Sequence, residues 1–419
     1  MKLLHTFRML CCVLWLFTAV PVLIAPLSAA EVSDYVKEYA DPKPALRSRA
    51  AAIYDTGSGA LLYSKNGDEV IPPASMTKLV TLHLVYRAIE AGELNRSTEV
   101  LVTKAADFHS LPPRSSLMFL EEGQRVTVLE LMRGLAVPSG NDAALLLARH
   151  VAGSVEAFVE RMNREMRRLG LSETRFADPN GLSDANRTTA EEFARFCMVY
   201  IEAHPRSLEE LHDQYTFTYP KDRNIPPGES SSYGPITQYN HNKLAWGHPW
   251  VDGLKTGYID ESGYNVALTG SNGDRRLVAV LLGGPGENSE EGTLTRAIDG
   301  ANLLSFGFYS FTQVIPRLEV PESVRVWKGR RGDVALHTPE ADPLTVPKEL
   351  VDDVTVEAEL IGPLTAPVRS GDRIGEAVVR IAEHEAARYP LTAAETVRRG
   401  GVLRRFWDGL RLEMYVPEP

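Results

Sequence analysis

Predicted strands lie on both sides of a long helical stretch, and this order restricts the possible folds more than any other feature of the sequence. Strands that flank a helical insertion can meet in space as one antiparallel sheet, with the helices packed against it. The sequence therefore predicts an α+β domain. In chain order, the predicted elements are strands over 50–54 and 60–64, helices from 75 to about 204, a strand from 251, a hairpin over 264–282 around the turn signal Asn272-Gly273, and a helix over 296–308.

The composition changes near Pro316, where helical patterns give way to short β-type runs. Three such runs, over residues 324–326, 354–360 and 377–381, are separated by Gly, Pro and Asp residues. This spacing is typical of a small β-rich domain. The sequence therefore predicts a second domain that follows the α+β domain and carries no cluster of residues suggestive of catalysis.

The C-terminal segment has the pattern of an amphipathic helix, with arginines around the rest of its circumference. An exposed aromatic face beside arginines suits the surface of an anionic membrane, so we predict a membrane-associating helix. A helix that packs on the β-rich domain is the alternative. The apolar residues at helical spacing are Leu403, Phe406, Trp407, Leu410 and Met414.

The N-terminus has the features of an export signal. A short basic segment precedes an apolar run over 9–24 and small residues at 28–30. An uncleaved anchor is the alternative, but Pro21 and Pro26 interrupt this run. Cleavage would leave Cys197 as the one cysteine, which excludes an internal disulfide. The predicted parts are a signal peptide over 1–30, a linker over 31–49, the α+β domain over 50–313, the β-rich domain over 314–395 and the terminal helix over 396–419.

The composition also argues against several classes of function. The net charge of −10 and the lack of clustered Lys and Arg residues exclude a nucleic-acid partner. The histidines show no metal-binding spacing, and no glycine-rich phosphate loop follows a predicted strand. We therefore expect neither a metal nor another cofactor.

Ser75 and Lys78 share one face of the first turn of a predicted helix. The body of this helix is apolar around most of its circumference, which predicts that only its first turn faces a cleft. A serine hydroxyl becomes a nucleophile beside a base, and lysine is a base only when it is neutral. Burial and a second cation would lower the lysine pKa in this way. Alone, the pair is a weak signal, since a helix cap and a solvated lysine have the same spacing.

Two further motifs carry residues suited to the same chemistry. Ser139 and Asn141 lie between two helical segments, where Ser139 would relay a proton and the Asn141 amide would hold a substrate carbonyl. Helix capping by Asn141 or Asp142 is the alternative. Lys255 and Gly257 point to one face of a predicted strand. Lys255 would supply the second cation, and Gly257 would let a substrate backbone approach closely.

The three motifs, Ser-x-x-Lys, Ser-x-Asn and Lys-Thr-Gly, occur on helix, loop and strand in the order known from the penicillin-recognising serine enzymes. The chain resembles in particular the low-molecular-mass penicillin-binding proteins, the D-alanyl-D-alanine carboxypeptidases of the S11 peptidase type. The resemblance covers roughly residues 50–311 and includes the segments 115–120, 138–144, 178–182 and 251–257. It implies a β-lactamase-like fold, removal of the terminal D-alanine from peptidoglycan pentapeptides, acylation by β-lactams, and a place at the periplasmic face of the bacterial cytoplasmic membrane.

The resemblance also implies roles for individual residues. Ser75 is expected to be the nucleophile, Lys78 its base and Ser139 a third catalytic residue. The backbone N–H groups of Ser75 and Tyr258 are expected to form the oxyanion hole. The residues expected to bind substrate are Asn141, Lys255, Thr256, Gly257, Tyr258, His241 and Arg296.

Tyr258 and His241 depart from the family pattern, in which many members have His and Arg at these positions. His241 is expected to be largely uncharged at neutral pH and to bind a carboxylate weakly. Arg296 matches a family arginine near the substrate carboxylate, and a plain surface residue is the alternative.

Three alternative functions are compatible with the motifs. A β-lactamase of the same architecture would need an extra carboxylate for fast deacylation, and the sequence has no clear motif for one. A D,D-endopeptidase would use the same scaffold. A non-catalytic scaffold at the membrane surface is disfavoured because Ser75, Lys78, Ser139, Asn141 and Lys255 are all present.

Overall fold

The structure is a computed structural model that describes residues 43–414. The predicted signal peptide and most of the predicted linker lie outside the described residues. The first part of the described chain contains, in order, β1 (Ala50–Asp55), β2 (Leu61–Lys65), a 3-10 turn (Ala74–Thr77), α1 (Lys78–Glu90), β3 (Glu99–Leu101), β4 (Arg125–Thr127), α2 (Val128–Ala136), α3 (Asn141–Ala152), α4 (Val155–Arg168), α5 (Ala190–Ala203), β5 (Thr216–Tyr219), β6 (Ile236–Tyr239), α6 (Leu244–Gly247), β7 (Val251–Ile259), β8 (Gly263–Ser271), β9 (Arg276–Gly284) and α7 (Ser289–Ser310).

Strands from both ends of this part form one antiparallel sheet, in the spatial order β2-β1-β9-β8-β7. Strand β1 pairs with β9, which follows the helices, and Ala52 lies opposite Val280. This confirms the predicted α+β arrangement. Alternate residues of β1 enter two different cores, and burial on both faces explains why its sequence is almost continuously apolar.

Helices α1 to α5 contribute to the core on one face of the sheet, and α7 contributes to the core on the other. The first core contains Ala52 together with Leu79 and Leu82 of α1, and all three are fully buried. The second core contains Ile53 together with Leu303 of α7. Helix α1 is therefore enclosed by protein, as its apolar circumference predicts.

The start of α3 differs from the prediction. The helix begins at Asn141 with Gly140 as its N-cap and no side-chain hydrogen bond at that cap, so the alternative of an Asn141 or Asp142 cap on a helix that begins at Ala143 is wrong. The Asp142 carboxylate accepts hydrogen bonds from the backbone N–H groups of Ala143 (2.9 Å), Met118 (2.8 Å) and Leu120 (3.0 Å). It holds the preceding loop against the helix.

Other element boundaries follow local hydrogen bonds. A capping box between Thr127 and Glu130 begins α2. Helix α7 begins at Ser289, before the predicted position 296, because the Asn288 side chain accepts from the N–H groups of Glu290 and Glu291. The short pairs β3–β4 and β5–β6 were not predicted, since strands of three or four residues carry little periodic signal.

The second part of the chain is rich in β-strands, which confirms the predicted class of this domain. Its six-stranded sheet has the order β14-β16-β17-β12-β11-β15. Strand β10 continues from α7 and pairs with β13, so the two parts share a core at Phe311 and Val346. The elements are β10 (Phe311–Val314), β11 (Ser323–Trp327), β12 (Asp333–His337), β13 (Leu344–Pro347), β14 (Val354–Leu360), β15 (Leu364–Thr365), β16 (Arg373–Ile381), β17 (His384–Ala393) and α8 (Val402–Glu413).

Helix α8 contacts the β-rich domain through polar atoms and turns its apolar face outward. Asp408 is 9% exposed, and its carboxylate accepts a 2.7 Å hydrogen bond from the Lys328 backbone N–H. Arg404 donates to the carbonyl oxygen of Arg330 at 3.2 Å. Within residues 43–414, no helix combines the length and apolar content needed to cross a bilayer. The outward apolar side chains are Val402, Leu403, Phe406, Trp407, Leu410 and Met414.

Candidate active site

A cleft of about 940 Å³ runs along β7, the edge strand of the five-stranded sheet. The buried side chains of Lys78 and Lys255 lie beneath it. The structure therefore brings together the residues predicted from the three motifs and from the resemblance. The predicted residues that line the cleft are Ser75, Ser139, Asn141, His241, Thr256, Gly257, Tyr258 and Arg296.

Ser75 lies in the 3-10 turn that precedes α1, next to a residue with an unusual backbone conformation. Ala74 has a φ of +51°, which is strained for a residue with a side chain. Gly181 packs directly on this turn, and a Cβ atom at Gly181 would lie 1.9 Å from the carbonyl oxygen of Ala74. The loop that contains Gly181 therefore supports the turn that presents the Ser75 hydroxyl.

The Lys78 ammonium group contacts three oxygen atoms. Its Nζ lies 3.0 Å from Ser75 Oγ, 2.7 Å from Asn141 Oδ1 and 2.5 Å from the carbonyl oxygen of Asn180. A neutral amine has two hydrogens and one lone pair. If Asn141 and Asn180 accept the two hydrogens, the lone pair is left for the hydroxyl of Ser75.

Burial lowers the pKa of Lys78 to about 7, while the carboxylates of Asp178 and Asp142 raise it. Burial was predicted as a cause and is the largest one, whereas the predicted contribution of a second cation is not among the causes at Lys78. The repulsion between the two ammonium groups appears at Lys255 instead, where burial, Lys78 and Arg296 hold the pKa well below its usual range. In both cases burial disfavours the charged form most.

Ser139 and Asn141 line the cleft together with Ser75. Ser139 has a φ of +63°, and its buried Oγ has no hydrogen-bond partner among the described residues. A buried hydroxyl that is left unpaired costs free energy, so such a group indicates a ligand or water position. Asn141 directs its Oδ1 to Lys78, which leaves its Nδ2 as the atom available to a substrate carbonyl.

Gly257 was predicted to make room for a substrate backbone, but the structure shows the protein's own backbone in that space. A Cβ atom there would lie 2.5 Å from the Pro73 carbonyl oxygen and 3.1 Å from the Ser75 nitrogen. The protein's own backbone occupies this space, so Gly257 lets β7 pack closely on the turn of Ser75. Lys255 donates a 3.1 Å hydrogen bond to the carbonyl oxygen of Thr256.

The residues around Thr256 form the cationic end of the cleft. Arg296 is 8% exposed and its guanidinium lies 5.8 Å from the centre of the Tyr264 ring, so the alternative of a plain surface residue was wrong. Loss of solvation in the cleft and the positive charges of Lys255, Arg296 and Lys78 lower the pKa of His241 to about 4. The His241 side chain lines the cleft, and its lowered pKa agrees with a neutral imidazole at pH 7.

Tyr258 follows Thr256 by two positions near the C-terminal end of β7, where its side chain is 46% exposed. Its hydroxyl donates a 2.7 Å hydrogen bond to Asp260, and its ring packs 4.4 Å from the ring of Tyr264. These contacts direct the side chain along the rim of the cleft.

Sequence reasoning missed the supporting residues Asp178 and Asn180. The Asp178 carboxylate accepts hydrogen bonds from the backbone N–H groups of Gly181 and Ser183, both at 2.6 Å. This network fixes the loop whose Asn180 carbonyl contacts Lys78. The segment 178–182 contains an Asp-Pro-Asn-Gly pattern, which is typical of a turn and could have indicated this supporting loop.

Comparison with known proteins identifies the family. Residues 37–286 match the peptidase family S11, described as D-alanyl-D-alanine carboxypeptidase. The chain belongs to peptidase family S11. Residues 309–399 match a second family, described as the penicillin-binding protein 5 C-terminal domain. The S11 match contains the Ser75, Ser139 and Lys255 motifs, and the second match contains the β-rich domain.

Individual S11 relatives agree with this assignment along most of the chain. The D-alanyl-D-alanine carboxypeptidase DacC of Escherichia coli (strain K12) is 32% identical over 379 residues, which are 89% of this chain and 90% of that protein. Penicillin binding protein 5 from Haemophilus influenzae superposes with a TM-score of 0.71 at 29% identity, over 85% of this chain and 99% of that one. Penicillin-Binding Protein D2 from Listeria monocytogenes, solved in an ampicillin-bound form, has a TM-score of 0.53 at 26% identity and covers 64% of this chain and 99% of that one.

The described residues contain no cluster of side chains suited to bind a metal ion. Among residues 43–414, no group of three or more His, Cys, Asp or Glu side chains is arranged to hold one. Cys197 is buried in α5, and burial raises the pKa of its thiol, so it is unsuited to act as a nucleophile. The groups arranged for chemistry in this cleft are hydroxyls, amides and lysines.

Proposed function

We propose that this chain is a serine D-alanyl-D-alanine carboxypeptidase that forms its acyl-enzyme on Ser75. The observation that carries the proposal is the 3.0 Å contact between Ser75 Oγ and the buried Nζ of Lys78. The family membership and the names of the relatives support the substrate class, peptidoglycan peptides that end in D-alanyl-D-alanine.

Acylation begins when the neutral amine of Lys78 takes the proton of the Ser75 hydroxyl. Ser75 Oγ attacks the carbonyl carbon of the penultimate D-alanine, and the backbone N–H groups of Ser75 and Tyr258 stabilise the oxyanion. Ser139 passes the proton to the departing amine. The free Oγ of Ser139 supports this role, because a hydroxyl without a fixed partner is available to both groups.

The cationic end of the cleft binds the terminal carboxylate of the substrate. Thr256 and Arg296 line one small pocket, and the charge of Arg296 attracts an anion there. His241 adds a neutral donor at pH 7 because its pKa is lowered to about 4. The carbonyl group of the penultimate D-alanine then faces Ser75. This follows because Gly257 is the residue after Thr256 in β7, and the Ser75 backbone nitrogen lies beside Gly257. Asn141 Nδ2 binds the substrate backbone.

Water then hydrolyses the Ser75 ester, and Ser75 and Lys78 return to their initial state. β-Lactams acylate the same hydroxyl, and the solved ampicillin-bound form of Penicillin-Binding Protein D2 supports this expectation. A β-lactam adduct on this chain is expected to persist. Fast deacylation would need a carboxylate beside Ser75. Glu290 is the acidic residue among those that line the cleft, and it lies on α7 with Arg296, which is proposed to bind the substrate carboxylate.

We also propose that the protein is exported and acts at the periplasmic face of the cytoplasmic membrane. The basic and apolar sequence over 1–30 supports export and cleavage of a signal peptide. The outward apolar face of α8 supports peripheral attachment, because its polar face already contacts the β-rich domain through Asp408. The two domains are proposed to span 50–313 and 314–395, with the terminal helix over 396–419.

The proposal is tested by measuring D-alanine release from a pentapeptide that ends in D-alanyl-D-alanine. The wild type is expected to release D-alanine, and Ser75→Ala is expected to lose this activity by at least about a thousandfold. Ser110→Ala, which alters an exposed hydroxyl outside the cleft, is the matched control and should retain it. Release by Ser75→Ala at the wild-type rate would exclude Ser75 as the nucleophile.

A further inference from the structure

Two buried histidines and two glutamates form one continuous row of hydrogen bonds that lies outside the cleft. We call this row the imidazole chain and define it as Glu90, His204, His83 and Glu165. His204 Nδ1 lies 2.9 Å from Glu90 Oε1, and its Nε2 lies 2.9 Å from His83 Nδ1. His83 Nε2 lies 3.0 Å from Glu165 Oε1. Both rings are buried, so each ring nitrogen depends on its neighbour in the chain for a hydrogen bond.

The imidazole chain joins three helices of the first domain. His83 and Glu90 belong to α1, Glu165 belongs to α4, and His204 directly follows α5. Lys78 is the first residue of α1, five positions before His83. The chain therefore attaches the helix that carries Lys78 to α4 and α5.

Three hydrogen bonds in this row require three hydrogens, one for each contact. A neutral imidazole has one N–H group, an imidazolium has two, and an ionised carboxylate has none to donate. Two neutral rings between two carboxylates would therefore leave one contact in which lone pairs face each other. Such a contact is unfavourable in a buried site, where no water can relieve it. One additional proton completes the imidazole chain.

The carboxylates do not carry this proton. Arg168 donates hydrogen bonds to both oxygens of Glu165, at 2.9 and 2.7 Å. Although burial raises the pKa of Glu165, the hydrogen bonds from Arg168 and His83 hold it below its usual range. The Glu90 side chain is 51% exposed, and a solvated carboxylate is ionised at pH 7. The additional proton therefore belongs to one of the two rings.

His204 is the less favourable ring for a positive charge. Burial, the His83 ring and Arg87 lower the pKa of His204 to about 3. His83 has the ionised Glu165 beside its Nε2, and this carboxylate stabilises an imidazolium. The charged and titratable side chains around the two rings are Tyr86, Arg87, Glu90, Glu165, Arg168 and Tyr200.

We propose that His83 is an imidazolium in the folded protein at pH 7, and that its additional proton makes the attachment of α1 to α4 and α5 sensitive to pH. In the unfolded chain, histidines lose their protons above about pH 6.5. Above that pH the folded state binds one proton more than the unfolded state, so the contribution of His83 to stability decreases as the pH rises. Below that pH the neutral His204 has the opposite effect, because the unfolded chain then binds two protons where the folded chain binds one.

Neutron diffraction from a crystal of the unacylated protein, exchanged into D2O at pH 7, locates the hydrogens on the four ring nitrogens directly. We expect deuterium on three of them, namely both nitrogens of His83 and Nδ1 of His204. Deuterium on only one nitrogen of each ring would overturn the inference. An imidazolium at His204 beside a neutral His83 would overturn it as well.

The melting temperature of His83→Gln, compared with that of the wild type, tests the pH dependence in solution. Glutamine keeps a hydrogen-bonding side chain without the additional proton. Between pH 7 and pH 8, the melting temperature of the wild type relative to this variant should fall by about 2 °C. His150→Gln alters an exposed histidine near the end of α3, and its melting temperature should follow that of the wild type at each pH. A constant difference between the wild type and His83→Gln over this range would overturn the inference, and the neutron result decides if the variant does not fold.

Discussion

The hydrogen-bond partners of Lys78 decide which of its protonation states can accept the proton of Ser75. Two of its three contacts, to Asn141 Oδ1 and to the Asn180 carbonyl, are acceptors that need a hydrogen. Ser75 Oγ accepts the third hydrogen of the ammonium form and donates its own hydrogen to the neutral form. The neutral form is therefore the one in which Ser75 loses its proton to Lys78.

Acylation is expected to depend on pH through Lys78. Burial lowers its pKa to about 7, so the neutral fraction, and with it the rate, should rise as the pH increases through this value. The rate constant of penicillin acylation should increase by about tenfold per pH unit below the pKa and level off above it. Stopped-flow measurement with a penicillin whose own carboxylate stays ionised checks this. A rate that is flat from about pH 5 to pH 8 would contradict the assignment of Lys78 as the base.

At the residue scale, the sequence predicted what is local. Ser75 and Lys78 share a helix turn, so their spacing alone places them together. Burial was predicted as one cause of the lowered pKa of Lys78, but the extent of that burial depends on packing from distant parts of the chain. The same holds for Gly257, whose neighbour is the Pro73 carbonyl rather than a substrate.

The turn before α1 depends on a loop more than a hundred positions later in the chain. Ala74 adopts a positive φ, and the loop from Asp178 to Ser183 packs against it through Gly181. Gly181 itself has a φ of +83°, a conformation that favours glycine. The position of the Ser75 hydroxyl is therefore set by the contact between these two segments.

Gly181→Ala is expected to disturb this contact. Its new Cβ would overlap the Ala74 carbonyl oxygen, so the turn must shift. Acylation by penicillin should slow by at least about tenfold, in line with the loss expected when a nucleophile is misplaced by about 1 Å. Gly228→Ala is a matched control, because Gly228 has the same φ of +83° but no atom within 4 Å of the new Cβ. Equal acylation rates in the two variants would show that the contact does not position Ser75.

At the element scale, long apolar patterns were predicted well and short polar ones were not. The buried sheet and α1 follow from their apolar sequence. The first residue of α3 was not predicted correctly. The Asp142 carboxylate accepts a hydrogen bond from Met118 in the preceding loop, and the local sequence does not show this contact. Strands β3 and β4 have three residues each, too few for a reliable period.

At the scale of the whole molecule, α8 presents an exposed apolar face. The helix turns Asp408 to the β-rich domain and leaves Phe406 and Trp407 61% and 59% exposed. The sequence predicted this amphipathic pattern correctly. A membrane surface stays the predicted partner of this apolar face, with packing on the β-rich domain as the alternative.

Replacing Phe406 and Trp407 together by Ser is expected to release the mature protein from anionic vesicles. Each aromatic ring contributes to burial at the membrane interface, so the vesicle-bound fraction in a sedimentation assay should fall by at least about tenfold. Tyr309→Ser, which removes an exposed aromatic residue elsewhere, should leave binding unchanged. Vesicle binding that persists after deletion of residues 402–419 would contradict the role of α8.

Mass spectrometry of the protein after exposure to penicillin, followed by mapping of the modified peptide, tests most directly whether Ser75 is the nucleophile. We expect one covalent adduct per chain, on the peptide that contains Ser75, and none in Ser75→Ala. An adduct on the peptide that contains Ser139, an adduct that remains in Ser75→Ala, or no adduct on the wild type would contradict it.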